Sequence, residues 1–235
     1  MRIRVIVPIT SFSEDYLEDR RKRLSKEALP MTELEFVSVK KGPITIESFY
    51  EEELAAIDLL ENVKKAEEDG VDAVIIWCSG DPAVHAAREL VKIPVVGPGE
   101  ASFILAALLA HKFTVISPLE RDIVRYENMA KILGIESKLA SVRPLGITVL
   151  GLRSNREKAV ERIILLSEKA IKEDGAHAIV LGCLGMFGMA KEVQEKIGIP
   201  VIDPGIAALK IAELLVQTGL SFSKLTYPYP PKKES

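Results

Sequence analysis

The chain has 235 residues, 48% of them hydrophobic and 28% charged, and its 31 Lys and Arg against 34 Asp and Glu leave a net charge of -3. That balance describes a globular chain able to bury a substantial core and gives no electrostatic reason to expect a nucleic acid or an anionic membrane as partner, so a small molecule is the expected one. The opening MRIRVIVPIT is too short an apolar run for a signal peptide or a membrane span, and a cytoplasmic location is expected. Three Asn and two Gln among abundant Lys and Glu match a bias reported for thermophilic proteins, whose cytosol can also hold disulfides.

In chain order, IRVIVP (3–8) reads as a buried strand running into Thr10 and Ser11, and LEFVSV (34–39) as a second strand. EDGVDAVIIWCSG (68–80) then reads as a charged helix end, a Gly stop, a buried strand and Cys78, and IPVVGPGEA (93–101) opens a further strand. The same order returns. FTVISP (113–118), with Ser117 at its end, and LASVRPL (139–145) precede EDGAHAIVLGCLG (173–185), which aligns with 68–80 without a gap at an offset of 105 residues, and IPVIDPGIA (199–207) matches 93–101 at an offset of 106. The chain is an internal duplication with two copies, which predicts a pair of similar domains and not a solenoid.

Nearly continuous apolar strands alternating with amphipathic helices predict parallel sheets covered on both faces, in which ligands bind beyond the carboxyl ends of the strands. The expected fold is therefore α/β, with two pseudo-symmetric flavodoxin-like lobes, each holding a parallel sheet of about four strands, and the active site in the cleft between them. Residues 1–97 form the expected first lobe, completed by a C-terminal helix at 206–220; residues 98–205 form the second. The Pro-rich tail 221–235 is expected on the surface or disordered.

The two cysteines of the chain, Cys78 and Cys183, fall at matching strand ends, each two residues before a glycine. A single buried cysteine is ordinarily an inert small hydrophobe. A disulfide runs against the cytoplasmic placement, and metal binding has no support, since there is no Cys-x-x-Cys and His85, His111 and His177 lack ligand spacing. Duplication favours a chemical role. A helix N-terminus beside each sulfur would favour the thiolate. A thiolate on one side of a carbon acid and a thiol on the other can remove a proton and return one to the opposite face, inverting the centre without a cofactor. If each sulfur approaches the carbon to roughly 3–3.5 Å, the two lie about 6–8 Å apart, too far for a disulfide.

These residues resemble the aspartate/glutamate racemase superfamily, and within it most closely the hydantoin and allantoin racemases. The likeness is carried by VIVPITS (5–11), CSGDP (78–82), IPVVGPGEA (93–101) and GCLGM (182–186), and so covers most of the chain. It implies two pseudo-symmetric lobes, no cofactor, and Cys78 and Cys183 as the catalytic acid–base pair. Ser79 and Gly80 follow the first cysteine where aspartate and glutamate racemases have an Asn-Thr type sequence, which favours cyclic ureides. The opening departs from the family pattern: Val7 and Ile9 replace two asparagines, removing amides that could hold a polar ring, and Leu184 is larger than the residue usual after the second cysteine.

Among supporting residues, Asp81 and Pro82 suit a helix N-cap and first helical position, and Asp81 would also bring a carboxylate near Cys78. Thr10, Ser11 and Ser117 are strand-end hydroxyls suited to ligand contact or to capping turns. The backbone N–H groups of Ser79, Gly80, Leu184 and Gly185 are candidates for holding an enolate oxygen. No metal site, no phosphate-binding or dinucleotide loop and no cofactor is expected, and a homo-oligomer is open. The alternatives are an amino-acid racemase of the aspartate/glutamate type, another reaction of the superfamily, and a two-lobed binding protein without catalysis.

Overall fold

The computed structural model describes residues 1–231. The first half runs β1 (Arg2–Val7), α1 (Glu14–Ser25), β2 (Glu33–Ser38), α2 (Phe49–Glu68), β3 (Ala73–Ile76), α3 (Val84–Leu90) and β4 (Val95–Val96) into α4 (Pro98–Leu109). The second runs β5 (Phe113–Ser117), α5 (Asp122–Ile132), β6 (Leu139–Pro144), α6 (Gly151–Ser154), α7 (Arg156–Lys169), β7 (Ala178–Leu181), α8 (Ala190–Ile197) and β8 (Val201–Ile202) into α9 (Pro204–Thr218). The strands form two four-stranded sheets ordered β2-β1-β3-β4 and β6-β5-β7-β8. Every pairing is parallel. Both sheets have the flavodoxin-like order, and the expected α/β fold holds.

Burial explains the sequence of the central strands. All four residues of β3 and all four of β7 are buried, so both faces of each strand must be apolar. In the first half α2 supplies the cover: Ala55, Leu59, Val63 and Ala66 recur at helical spacing and are fully buried. Its start is held by Ser48, whose hydroxyl accepts from the Glu51 N–H at 3.3 Å. Gly70 (φ +72°) stops the helix segment before β3, and Gly175 (φ +69°) does the same before β7, each in the left-handed region that favours glycine.

The chain divides into two compact units. The first comprises Met1–Trp77, Asp81–Gly97 and the chain from Ala208; the second comprises Cys78–Gly80 and Pro98–Ala207. Within the first unit, Glu213 of α9 accepts from the Leu29 N–H and the Thr32 hydroxyl, both at 2.7 Å. The tail is tied to α3 as far as Tyr227. The Arg88 guanidinium lies 3.6 Å from the Phe222 ring centre and donates to the Tyr227 hydroxyl at 3.3 Å, and Lys224 donates to the Arg88 carbonyl at 2.6 Å. Residues 232–235, the end of the tail expected from the sequence, lie outside the described residues.

The duplicated halves keep the same contacts but draw them from different residues. In the first, Asp69 receives the buried Arg4 guanidinium of β1 at 2.9 Å. Its equivalent, Asp174, receives Arg143 of β6 at 2.7 Å and the Ser141 hydroxyl at 2.5 Å, and Arg143 holds its carboxyl below the usual carboxylate range. A second exchange precedes α4 and α9. Asp203 accepts from the N–H groups of Gly205 (2.9 Å), Ile206 (3.4 Å) and Gly188 (2.6 Å), capping α9. The equivalent of Asp203 is Gly97, and there the carboxylate of Asp81 fills the space: a Cβ on Gly97 would lie 2.4 Å from Asp81 Cγ.

This corrects the reading of Asp81 and Pro82 as the start of a helix. Asp81 (φ +53°) and Ala83 (φ +53°) both adopt left-handed backbone, and α3 starts only at Val84, with Ala83 as its N-cap and no side-chain cap bond. Asp81 turns its carboxylate to Gly97 instead. Gly97→Asp should therefore place two carboxylates in one site and lower the melting temperature by about 5–10 °C, the effect of overpacking by a few kcal/mol in a chain of this size. Adding Asp81→Ala should recover most of that loss in a thermal melt, because the double variant reproduces the arrangement around Asp203.

Candidate active site

Cys183 follows directly from the buried end of β7. The Gly182 N–H continues the ladder to the Ile116 carbonyl at 2.8 Å, and Gly182 has no room for a side chain: a Cβ there would meet Val115 Cγ1 at 2.9 Å and the Ile116 carbonyl at 3.0 Å. Cys183 itself is extended (φ -157°) and half-buried, and its Sγ accepts from the Gly185 N–H at 3.3 Å. A single 3-10 turn, Leu184–Met186, closes the loop, with the Met186 N–H donating to the Cys183 carbonyl at 2.9 Å. Leu184 is buried and Gly185 half-buried. A donor aimed at sulfur solvates an anion there better than a neutral thiol.

The Cys78 loop starts in the same way and then diverges. The Trp77 N–H donates to the Ile6 carbonyl at 2.8 Å, and its indole is buried with an edge-on contact to Phe36 of β2. Cys78 and Gly80 are half-buried; Ser79 is 4% exposed, and its hydroxyl is buried without a protein partner. The helix expected immediately beside each sulfur is displaced: here the left-handed turns at Asp81 and Ala83 intervene before α3, and after Cys183 the 3-10 turn intervenes before α8 starts at Ala190. Cys78–Gly80 groups with the unit that also holds Cys183, and neither cysteine is in a disulfide.

The strand-end hydroxyls fare differently from one another. Thr10 and Ser11 are exposed, and Thr10 is tied through both its N–H (2.9 Å) and its hydroxyl (3.2 Å) to the Pro43 carbonyl. Ser117 is wholly buried and donates to the Leu119 carbonyl at 3.2 Å, which makes it a turn cap. Among the described residues no group of three His, Cys, Asp or Glu side chains is arranged to hold a metal ion, and no helix is long and apolar enough to cross a membrane.

One residue beside Cys183 is missing from the sequence reading. Tyr126, on α5, is 3% exposed, and its hydroxyl donates to the carbonyl of Gly182. Burial pushes its phenol well above the ordinary range, and the charges of Asp122, Cys183 and Cys78 push it the same way, so the hydroxyl stays protonated and remains a donor. A signal was available: the opening strands of the two halves align at an offset of 110 residues, which places Tyr126 on Tyr16.

Residues 3–212 match the family model described as Asp/Glu/Hydantoin racemase. A hydantoin racemase from Pseudomonas sp. (strain NS671) is 39% identical over 236 aligned residues, covering 100% of this chain and 94% of that protein. The structure of allantoin racemase from Klebsiella pneumoniae superposes with a TM-score of 0.92 at 36% identity, covering 99% of this chain and 94% of that one. Allantoin racemase from Pseudomonas fluorescens gives 0.93 at 36% identity, covering 100% and 99%. With its repeated sheet order, its paired strand-end loops and a match along nearly its whole length, this chain belongs to the Asp/Glu/hydantoin racemase family and is a racemase, an isomerase enzyme.

Proposed function

We propose that the protein inverts a carbon alpha to a carbonyl in a small cyclic amino-acid derivative of the hydantoin or allantoin type, with Cys78 and Cys183 as its two acid–base groups. The observation that carries this reading is that the two cysteines of the chain end equivalent buried strands, β3 and β7, and group in one unit. One sulfur, as thiolate, takes the proton from the substrate carbon. The electron pair delocalises onto the carbonyl oxygen, and the other sulfur, as thiol, delivers a proton to the opposite face. Bonds and charges balance without a redox partner, so the reaction itself calls for no cofactor.

The supporting roles follow from the hydrogen bonds already formed. The Gly185 N–H is committed to Cys183 Sγ and so serves the sulfur. The backbone N–H groups of Ser79, Gly80 and Leu184 are assigned to the enolate oxygen. The buried, partnerless Ser79 hydroxyl is assigned to a polar group of the substrate, since an unpaired buried hydroxyl costs about 1–3 kcal/mol until something fills it. Asp81, Thr10 and Ser117 are assigned to support of the loops. A reducing cytoplasm suits a pair of unbridged thiols.

In deuterated water with each enantiomer of a 5-substituted hydantoin, Cys78→Ser and Cys183→Ser should each lose racemisation, followed by optical rotation, by more than a thousandfold. Each should still wash deuterium into one enantiomer, the opposite one in the two variants, because each thiolate reaches a single face. Racemisation near the parent rate in either variant would overturn the two-base assignment.

Alkylation separates this reading from a binding protein without catalysis. Iodoacetamide at neutral pH should modify at least one of the two cysteines faster than a free thiol, and the hydantoin should slow that reaction. Thiols that react only after unfolding would instead mark both as packing residues.

A further inference from the structure

We infer that Tyr126 is the positioning residue of the second base: by donating to the Gly182 carbonyl it sets the plane of the Gly182–Cys183 peptide and thereby the direction of the Cys183 sulfur. The inference rests on the two-cysteine reading above for its kinetic consequence, but the geometry stands without it. Gly182 and Cys183 share one peptide unit. Its carbonyl receives the phenol, while the neighbouring Gly182 N–H is fixed on Ile116 at 2.8 Å and the Cys183 carbonyl on the Met186 N–H at 2.9 Å. The peptide between these two anchors receives the tyrosine hydroxyl on its carbonyl.

The surroundings are built to keep that hydroxyl in place. The ring of Tyr126 lies against Gly182, with Cε2 3.2 Å from where a Cβ would be, so the absence of a side chain at 182 is what admits it. On its other side the ring stacks with Phe103 at 5.9 Å, which in turn meets Phe113 edge-on at 5.1 Å. One turn earlier on α5, Asp122 accepts from the Leu119 N–H at 3.1 Å and pairs with Arg125, fixing the start of the helix to the end of β5. A phenol so placed can pin a carbonyl but, being buried and bonded to backbone, has no proton to offer a substrate. Its effect must pass through Cys183.

The contribution can be isolated by placing Tyr126→Phe, which removes one oxygen and keeps the ring, in the two single-cysteine backgrounds. With only Cys183 present (Cys78→Ser), deuterium wash-in should fall about tenfold, with KM for the hydantoin within twofold and the melting temperature within a few degrees. With only Cys78 present (Cys183→Ser), wash-in should stay within twofold. Equal losses in both backgrounds, a loss confined to the Cys78 background, or no loss in either would overturn the inference. Should the two serine variants fail to exchange opposite enantiomers, the two-base reading itself falls. Iodoacetamide alkylation of Cys183 in Cys78→Ser then decides the matter alone: an unchanged rate on adding Tyr126→Phe overturns the inference, and a severalfold change sustains it.

Discussion

Everything at this site depends on the burial of β3 and β7 on both faces. A four-residue strand enclosed on each side cannot carry a polar side chain without leaving it unpaired, at a cost of roughly 1–3 kcal/mol per group. The first positions that can hold reactive chemistry are therefore those just past the strand ends. There the backbone N–H groups of the following turn are no longer consumed by the sheet, and both cysteines stand at this boundary. The parallel order of the sheets places all four strand ends of each on one edge, so opening strand, cysteine loop and following turn converge by topology.

Duplication has kept that geometry while letting individual residues move. The carboxylate before α9 is Asp203, whereas the one against Gly97 comes from Asp81 in the cysteine loop. The guanidinium facing Asp69 is on the first strand of its half, and that facing Asp174 on the second. Physical constraint explains this tolerance. A helix start accepts an anion and an aspartate accepts a guanidinium from any direction that permits hydrogen bonds, so the supplier can change as long as the charge arrives. Once Asp81 carries the carboxylate, its loop is committed to left-handed backbone at 81 and 83, and the Cys78 and Cys183 loops are no longer alike.

That asymmetry has an electrostatic side. The second loop is a tight 3-10 turn with its own N–H on the sulfur and a neutral phenol behind it. The phenol stays neutral because ionising it would add a negative charge in a buried place already near Asp122 and two sulfurs. A group held this way stays a donor across the working pH range and costs nothing in charge balance. The surroundings of the two sulfurs therefore differ.

Periodicity and repetition in the sequence determined the α/β class, the two sheets and the placement of Cys78 and Cys183 at matching strand ends, because each of these follows from which residues must be buried and from a gapless alignment. The N-terminal motif, the two cysteine motifs and the Ile-Pro segment also carried the family. What the tertiary structure alone decided is which side chain meets which backbone group. Asp-Pro reads locally as a helix start, and the carboxylate went instead to the empty space over Gly97, sixteen residues further on. Ser117 reads equally as a ligand contact or a turn cap, and burial with a bond to the Leu119 carbonyl decides for the cap. Tyr126 reads as one aromatic on an amphipathic helix, and only the approach of α5 to Gly182, made possible by a missing Cβ 56 residues away, brings its hydroxyl to the Gly182 carbonyl. Local sequence sets conformational preference, whereas a hydrogen bond between distant residues is chosen by packing.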